Sequence, residues 1–148
     1  MRLWHQYIIE YLPTNQLLGQ HREICGLRGL GFGKKHKTVN YVFKYPYYNL
    51  YQFHLIVLKE MVKRGYKIDY KWYNRCYRGK KIGIDDSNFT IKGDVDSLIY
   101  KEHDDKYLLE CLLNLKNKGI ILKIKFNSKI YYILKEYLWL DYVDFKNN

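Results

Sequence analysis

Apolar positions recur at helical spacing through most of the chain. Leu3, Tyr7, Ile8, Tyr11 and Leu12 share one face of a short first segment, which Pro13 ends. Thr14 stands where an N-cap belongs, and Leu17, Leu18, His21, Ile24 and Cys25 form the face of a second helix, leaving Gln20, Arg22 and Glu23 to point elsewhere. From Gly26 to Gly33 there are four glycines in eight residues, followed by Lys34, Lys35, His36 and Lys37, which predicts a turned basic loop. The longest helix is predicted from about Asn49 to Arg64, with Leu50, Phe53, His54, Val57, Leu58, Met61 and Val62 on one side and Gly65 at its C-terminal end. His54 on that apolar face reads as a hydrogen-bonded core histidine. The stretch Asp69 to Val95 is basic and weakly periodic, a long surface connection. A last clear helix starts near Asp104 and Asp105, carries Leu108, Leu109, Leu112 and Leu115, and stops at Gly119. Beyond it the pattern alternates in part, with Asn127-Ser128 in a turn-like place, so a β-hairpin and a final helix both stay open. The predicted fold is all-α: one domain over residues 1–148, with three or more helices and long basic loops.

Composition narrows the class. The chain has 148 residues, 47% of them hydrophobic, enough to bury a core without a disulfide or metal staple. Cys25, Cys76 and Cys111 are odd in number and widely spaced, fitting neither a disulfide framework nor a paired zinc site; reduced thiols in an intracellular, cytoplasmic protein are expected. Cys25 and Cys111 read as packing. No unbroken apolar stretch suits a signal peptide or a membrane span. With 26 Lys+Arg against 15 Asp+Glu the net charge is +11, a field that attracts polyanions, nucleic acid first among them. The 17 tyrosines often adjoin a cation, as in Tyr66-Lys67, Tyr70-Lys71 and Tyr77-Arg78. Cations neutralise phosphates and aromatic faces stack on unpaired bases, a mixture suited to distorted or opened strands.

No Walker loop, HExxH, GxSxG or paired zinc-ligand spacing occurs, and GLGFG lacks the strand and acidic residue of a dinucleotide site. What remains is Gln20-His21-Arg22-Glu23, then Arg28, Lys34, Lys35 and His36, with Arg2 near the amino terminus. On these residues, together with Lys63-Arg64-Gly65-Tyr66-Lys67-Ile68 and a weaker match around His103, the sequence resembles the phage-type pyrimidine-dimer DNA glycosylases, also called endonuclease V. The resemblance covers roughly residues 1–120, and residues 121–148 form a divergent extension.

The resemblance implies a compact helical protein that binds double-stranded DNA carrying damaged pyrimidines or abasic sites. It would flip a base, cut its glycosidic bond and nick the strand as a monomer, with no metal and no cofactor. The nucleophile would be the chain's α-amine. Because Arg2 is too large for ordinary removal of the preceding methionine, that amine is assigned to Met1. Glu23 would be the essential acid. Arg2, Arg22 and Arg28 would contact phosphates around the lesion, with Lys34, Lys35, His36 and His21 as further DNA contacts, and Trp4, Phe32 or Trp72 would stack in the opened helix. A non-catalytic DNA-binding protein that keeps this fold is the alternative, and a metal-dependent nuclease ranks below both.

Overall fold

The computed structural model describes residues 2–29, 39–86 and 98–146. It is mostly helical. After an extended start, residues Gln6–Tyr11 form a 3-10 turn in place of the expected first helix, opened by His5, whose side chain accepts from the Tyr7 N–H. Helix α1 spans Thr14–Arg28 and α2 spans Tyr47–Lys63. Thr14 is the first helical residue of α1 and not its cap: Pro13 stands before it, as Pro46 does before α2, and neither start has a side-chain cap. Proline's fixed φ suits that place, and the missing N–H costs nothing where no carbonyl precedes it.

The two helices pack on each other through Leu17, Ile24 and Leu27 of α1 and Leu50, Phe53, Val57, Leu58 and Met61 of α2, all buried. Leu3, Ile8, Ile9 and Leu12 complete that core from the amino-terminal side. Arg64 ties the end of α2 to the 3-10 turn, with its guanidinium donating to the carbonyls of Leu12 at 2.7 Å and Glu10 at 3.0 Å.

Helix α3, Asp105–Asn117, begins where the acids predict it, with the Asp104 carboxylate accepting from the Tyr107 N–H at 2.8 Å. Its buried face is Leu108, Cys111, Leu112 and Leu115. Both α2 and α3 end on a glycine at positive φ, Gly65 at 92° and Gly119 at 81°. In each the next N–H reaches back to the helix, Tyr66 to Met61 at 3.0 Å and Ile120 to Leu115 at 2.9 Å, the Schellman closure that favours glycine there.

The carboxy-terminal segment is both of the open alternatives and neither. Strand β1, Leu122–Lys125, is followed by helix α4, Lys129–Leu134, and a 3-10 turn over Lys135–Leu140; strand β2, Val143–Lys146, then pairs with β1 in parallel, Leu122 opposite Val143. Parallel pairing needs a crossover, and α4 with its following turn supplies it. No helix among the described residues is long and apolar enough to cross a membrane.

In place of a plain surface connection, residues 70–86 make a small lobe: a 3-10 turn at Tyr70–Tyr73 and a tight loop closed by an antiparallel bridge between Tyr77 and Ile84. It packs on the end of α1 closely enough that a Cβ at Gly29 would lie 3.0 Å from the Arg78 carbonyl.

Candidate active site at the amino-terminal end

The chain's first residues lie along α1, held by one amide. The Gln20 side chain is buried; its Oε1 accepts from the Trp4 N–H at 2.6 Å. Its Nε2 donates to the Arg2 carbonyl at 3.0 Å and to the Glu23 carboxylate at 3.3 Å. Gln20 and Glu23 are three residues apart and so share a helix face. From the other side Tyr107 of α3 donates its hydroxyl to the Leu3 carbonyl. The Arg2 guanidinium lies 5.8 Å from the ring centres of both Trp4 and Tyr107, and Lys118, just past α3, sits 5.3 Å over Trp4.

Glu23 is half-buried, and burial raises its pKa above the ordinary glutamate value. The amino-terminal charge, the Arg2 backbone N–H, Lys118 and Arg22 pull against that rise. The result is one raised carboxyl in a cationic surround. Arg22, one residue before it, is exposed. Of the expected site residues, Arg2, Arg22 and Glu23 are therefore brought to one end of the molecule. Met1, Lys34, Lys35 and His36, like Phe32, lie outside the described residues.

Arg28 is a correction. It is fully buried, and all five of its N–H donors are engaged. Nε donates to the Tyr47 hydroxyl at 2.8 Å; Nη1 donates to His54 Nδ1 and the Trp72 carbonyl, both at 2.9 Å; Nη2 donates to the Asn74 and Tyr77 carbonyls, both at 3.0 Å. The rings of Trp72 and Tyr51 cover it at 4.9 and 5.2 Å. No donor is left for a phosphate. Arg28 pins the 70–86 lobe to α1 instead.

That pin dictates protons further on. A guanidinium only donates, so His54 Nδ1 must accept, and a neutral His54 carries its proton on Nε2. Nε2 lies 2.9 Å from His21 Nδ1 and donates to it, which leaves the proton of a neutral His21 on its own Nε2. Burial lowers the pKa of both histidines, and the Arg28 charge adds to this, so both are neutral at pH 7. His21, Cys25 and His54 could hold a metal ion, since their ligand atoms lie within 4.8 Å of one another. A metal on His54 would have to displace the Nε2 proton while Arg28 still donated to Nδ1, which makes an imidazolate beside a fixed positive charge; the trio is better matched to a hydrogen-bond chain. The Cys25 thiol is pushed up to about 12 by burial, in keeping with packing and not with a nucleophile.

His103 joins the core and not the site: it is fully buried, its Nδ1 accepts from the Gln6 N–H at 3.1 Å and its Nε2 meets the Tyr41 hydroxyl at 2.7 Å. Of the aromatics expected to stack in DNA, Trp4 is buried and Trp72 is committed to Arg28. Tyr107 and Lys118 are the site residues that sequence reasoning misses, and Gln20, although it stands in the motif with Glu23, is given no task there. Gln20 carries one available signal, its spacing of three from Glu23, while Tyr107 and Lys118 reach the site only through the packing of α3.

A mostly helical chain with a raised carboxyl among arginines at its amino-terminal end fits a DNA-repair glycosylase. Residues 1–74, half of the chain, match the family described as pyrimidine dimer DNA glycosylase, and the chain belongs to that family. The match holds Arg2, Gln20, Arg22 and Glu23 but stops short of Tyr107 and Lys118. No curated protein and no solved structure matches the chain.

Proposed function

We propose that this glycosylase is bifunctional, removing the damaged pyrimidine and then nicking the strand as an AP lyase, through an imine formed by the α-amine of Met1. The observation that carries the proposal is the double grip of Gln20. One buried amide holds both the carbonyl of Arg2, the residue bonded to Met1, and the carboxylate of Glu23.

The chemistry follows from ordinary acidities. An α-amine has a pKa of about 8, some two units below that of lysine, so a useful fraction is neutral and nucleophilic at physiological pH. Attack on the sugar C1′ breaks the glycosidic bond, whose electron pair leaves with the base, and the base takes a proton. Opening of the sugar ring gives the protonated imine. That cation acidifies the C2′ hydrogen, and its loss expels the 3′ phosphate by β-elimination. Glu23 steadies the cationic sugar and carries protons between steps; burial moves its pKa upward, the direction that favours taking up a proton. Arg2 and Arg22 hold the flanking phosphates. His21, neutral with an Nε2–H, offers an uncharged donor to the backbone. The substrate is double-stranded DNA with a pyrimidine dimer, or an abasic site for the second step alone. Extruding a nucleotide costs a few kcal/mol, less where a lesion has weakened stacking, and damaged sites are favoured for that reason.

Untagged protein is mixed with two duplexes, one bearing a cyclobutane dimer and one an abasic site, and borohydride is added. The expected result is a covalent adduct that maps to Met1, disappears when the amine is blocked, and falls steeply in Glu23→Gln while duplex binding persists. Binding of both duplexes without trapping of either would overturn the imine mechanism and leave a non-catalytic DNA-binding relative.

A further inference from the structure

We infer that the lobe over residues 70–86 carries a second nucleic-acid site, a cleft that takes a nucleotide of single-stranded DNA, apart from the Glu23 site. The inference uses the family's DNA partner but none of the Glu23 chemistry.

The cleft has a volume of about 740 Å³ and lies between the 3-10 turn and the bridged loop, with Tyr70, Tyr73, Asn74 and Ile84 among its walls. Three of its large apolar side chains face water: Tyr70 is 78% exposed, Ile84 61% and Tyr73 44%. Ten large apolar side chains are exposed among the described residues, and these three share one cleft. Lys71 and Lys80 also line it, and neither makes an ion pair among the described residues. Flat rings beside free ammonium groups are what an unpaired base and its phosphate require. Asn74 adds direction. Its Oδ1 accepts from the Cys76 N–H at 2.9 Å, which fixes the amide's orientation and leaves both Nδ2 hydrogens to donate, suited to a base carbonyl.

The cleft is also preformed. Its backbone is held at the Trp72, Asn74 and Tyr77 carbonyls by Arg28 and at the Tyr73 carbonyl by the Tyr51 hydroxyl at 2.7 Å. A rigid receptor loses little entropy on binding. Arg28 follows Glu23 by five residues of α1, about 7.5 Å along the axis at 1.5 Å per residue. The same five residues turn Arg28 about 140° around the helix from Glu23 at 3.6 residues per turn, so the lobe that Arg28 holds and the Glu23 carboxylate stand on different faces of α1.

The test is fluorescence anisotropy with a labelled oligo(dT) 12-mer and an undamaged duplex of the same length. The variant carries Tyr70→Ala and Tyr73→Ala together, both side chains being exposed enough that the fold should persist, as circular dichroism would check. The expected result is binding of oligo(dT) by the native chain, weakened at least tenfold by the double substitution, with duplex affinity changed less than twofold. An oligo(dT) carrying 5-iododeoxyuridine should crosslink to Tyr70 or Tyr73. Equal loss on both DNAs, no loss on either, or no binding of oligo(dT) at all would overturn the inference. None of these results depends on turnover, so they stand apart from success or failure of the imine experiment.

Discussion

A carboxylate asked to steady a positive sugar and then trade protons works best above the ordinary glutamate pKa of 4.5, and half-burial beside Gln20 moves Glu23 that way. The shift carries a stability cost with a definite sign. As pH rises, the unfolded chain ionises Glu23 first and the folded chain later, so ionisation at neutral pH disfavours the folded state. Glu23→Gln should therefore melt at the same temperature as the native chain or higher at pH 7.5, with the gap closing as pH falls toward 4.5, while turnover is lost. Calorimetry of both proteins across that range checks it. Gln20→Ala should lower turnover at least tenfold while leaving duplex affinity nearly unchanged, measured by single-turnover kinetics beside anisotropy, because it frees the Arg2 carbonyl without removing a cation. Arg22 and Glu23 are legible in the sequence because they form a contiguous motif. Gln20 stands in the same motif, but its hold on the chain's first residues is not legible, since Trp4 lies sixteen residues away in the sequence.

Among the elements, the last turn of α1 departs most from its expected part. From sequence Arg28 is one more cation near a basic loop, and only the tertiary structure puts three backbone carbonyls of the 70–86 lobe around it. Arg28→Met would take the donor from the Trp72 and Asn74 carbonyls and from His54 Nδ1, the Tyr77 carbonyl keeping the Tyr47 hydroxyl at 3.2 Å, so it should cost about 3 kcal/mol in urea unfolding. Arg28→Lys, with three donors in place of five, should recover only part of that loss. A surface phosphate contact would instead leave stability nearly unchanged when removed. Helix ends were the easier part of the fold to foresee: Asp104, Gly65 and Gly119 act through their own backbone, so their meaning is local. The carboxy-terminal segment could not be assigned from periodicity because strand and helix follow each other within 25 residues, Leu122 to Lys146, and each interrupts the other's pattern.

At the scale of the whole molecule, charge and buried histidine set the response to solution conditions. Phosphate contacts release counterions, so log affinity for duplex DNA should fall linearly with log salt, and Arg22→Ala should reduce that slope by about one. A slope unchanged in Arg22→Ala would remove it from the interface. Burial depresses the pKa of His5 to about 4 and that of His103 to about 3. Below the ordinary histidine value of 6.5 the unfolded chain takes up protons that the folded chain refuses, so stability should fall from pH 6.5 down toward 3. Urea midpoints across that interval measure it. The basic charge that points to DNA was readable at once, but the histidines' contribution depends on burial that only the assembled core reveals.

The β1–β2 pair has a consequence for how copies of this chain behave toward one another. A sheet of two strands has two open edges, and each is a template on which another chain could add a strand. Along β1 the exposed positions are Lys123 and Lys125, and along β2 they are Asp144 and Lys146. A second copy docking β1 against β1 would bring lysine against lysine, so along that edge the cations that suit the protein to a polyanion also oppose self-assembly, and high salt would weaken that protection as it weakens attachment to DNA.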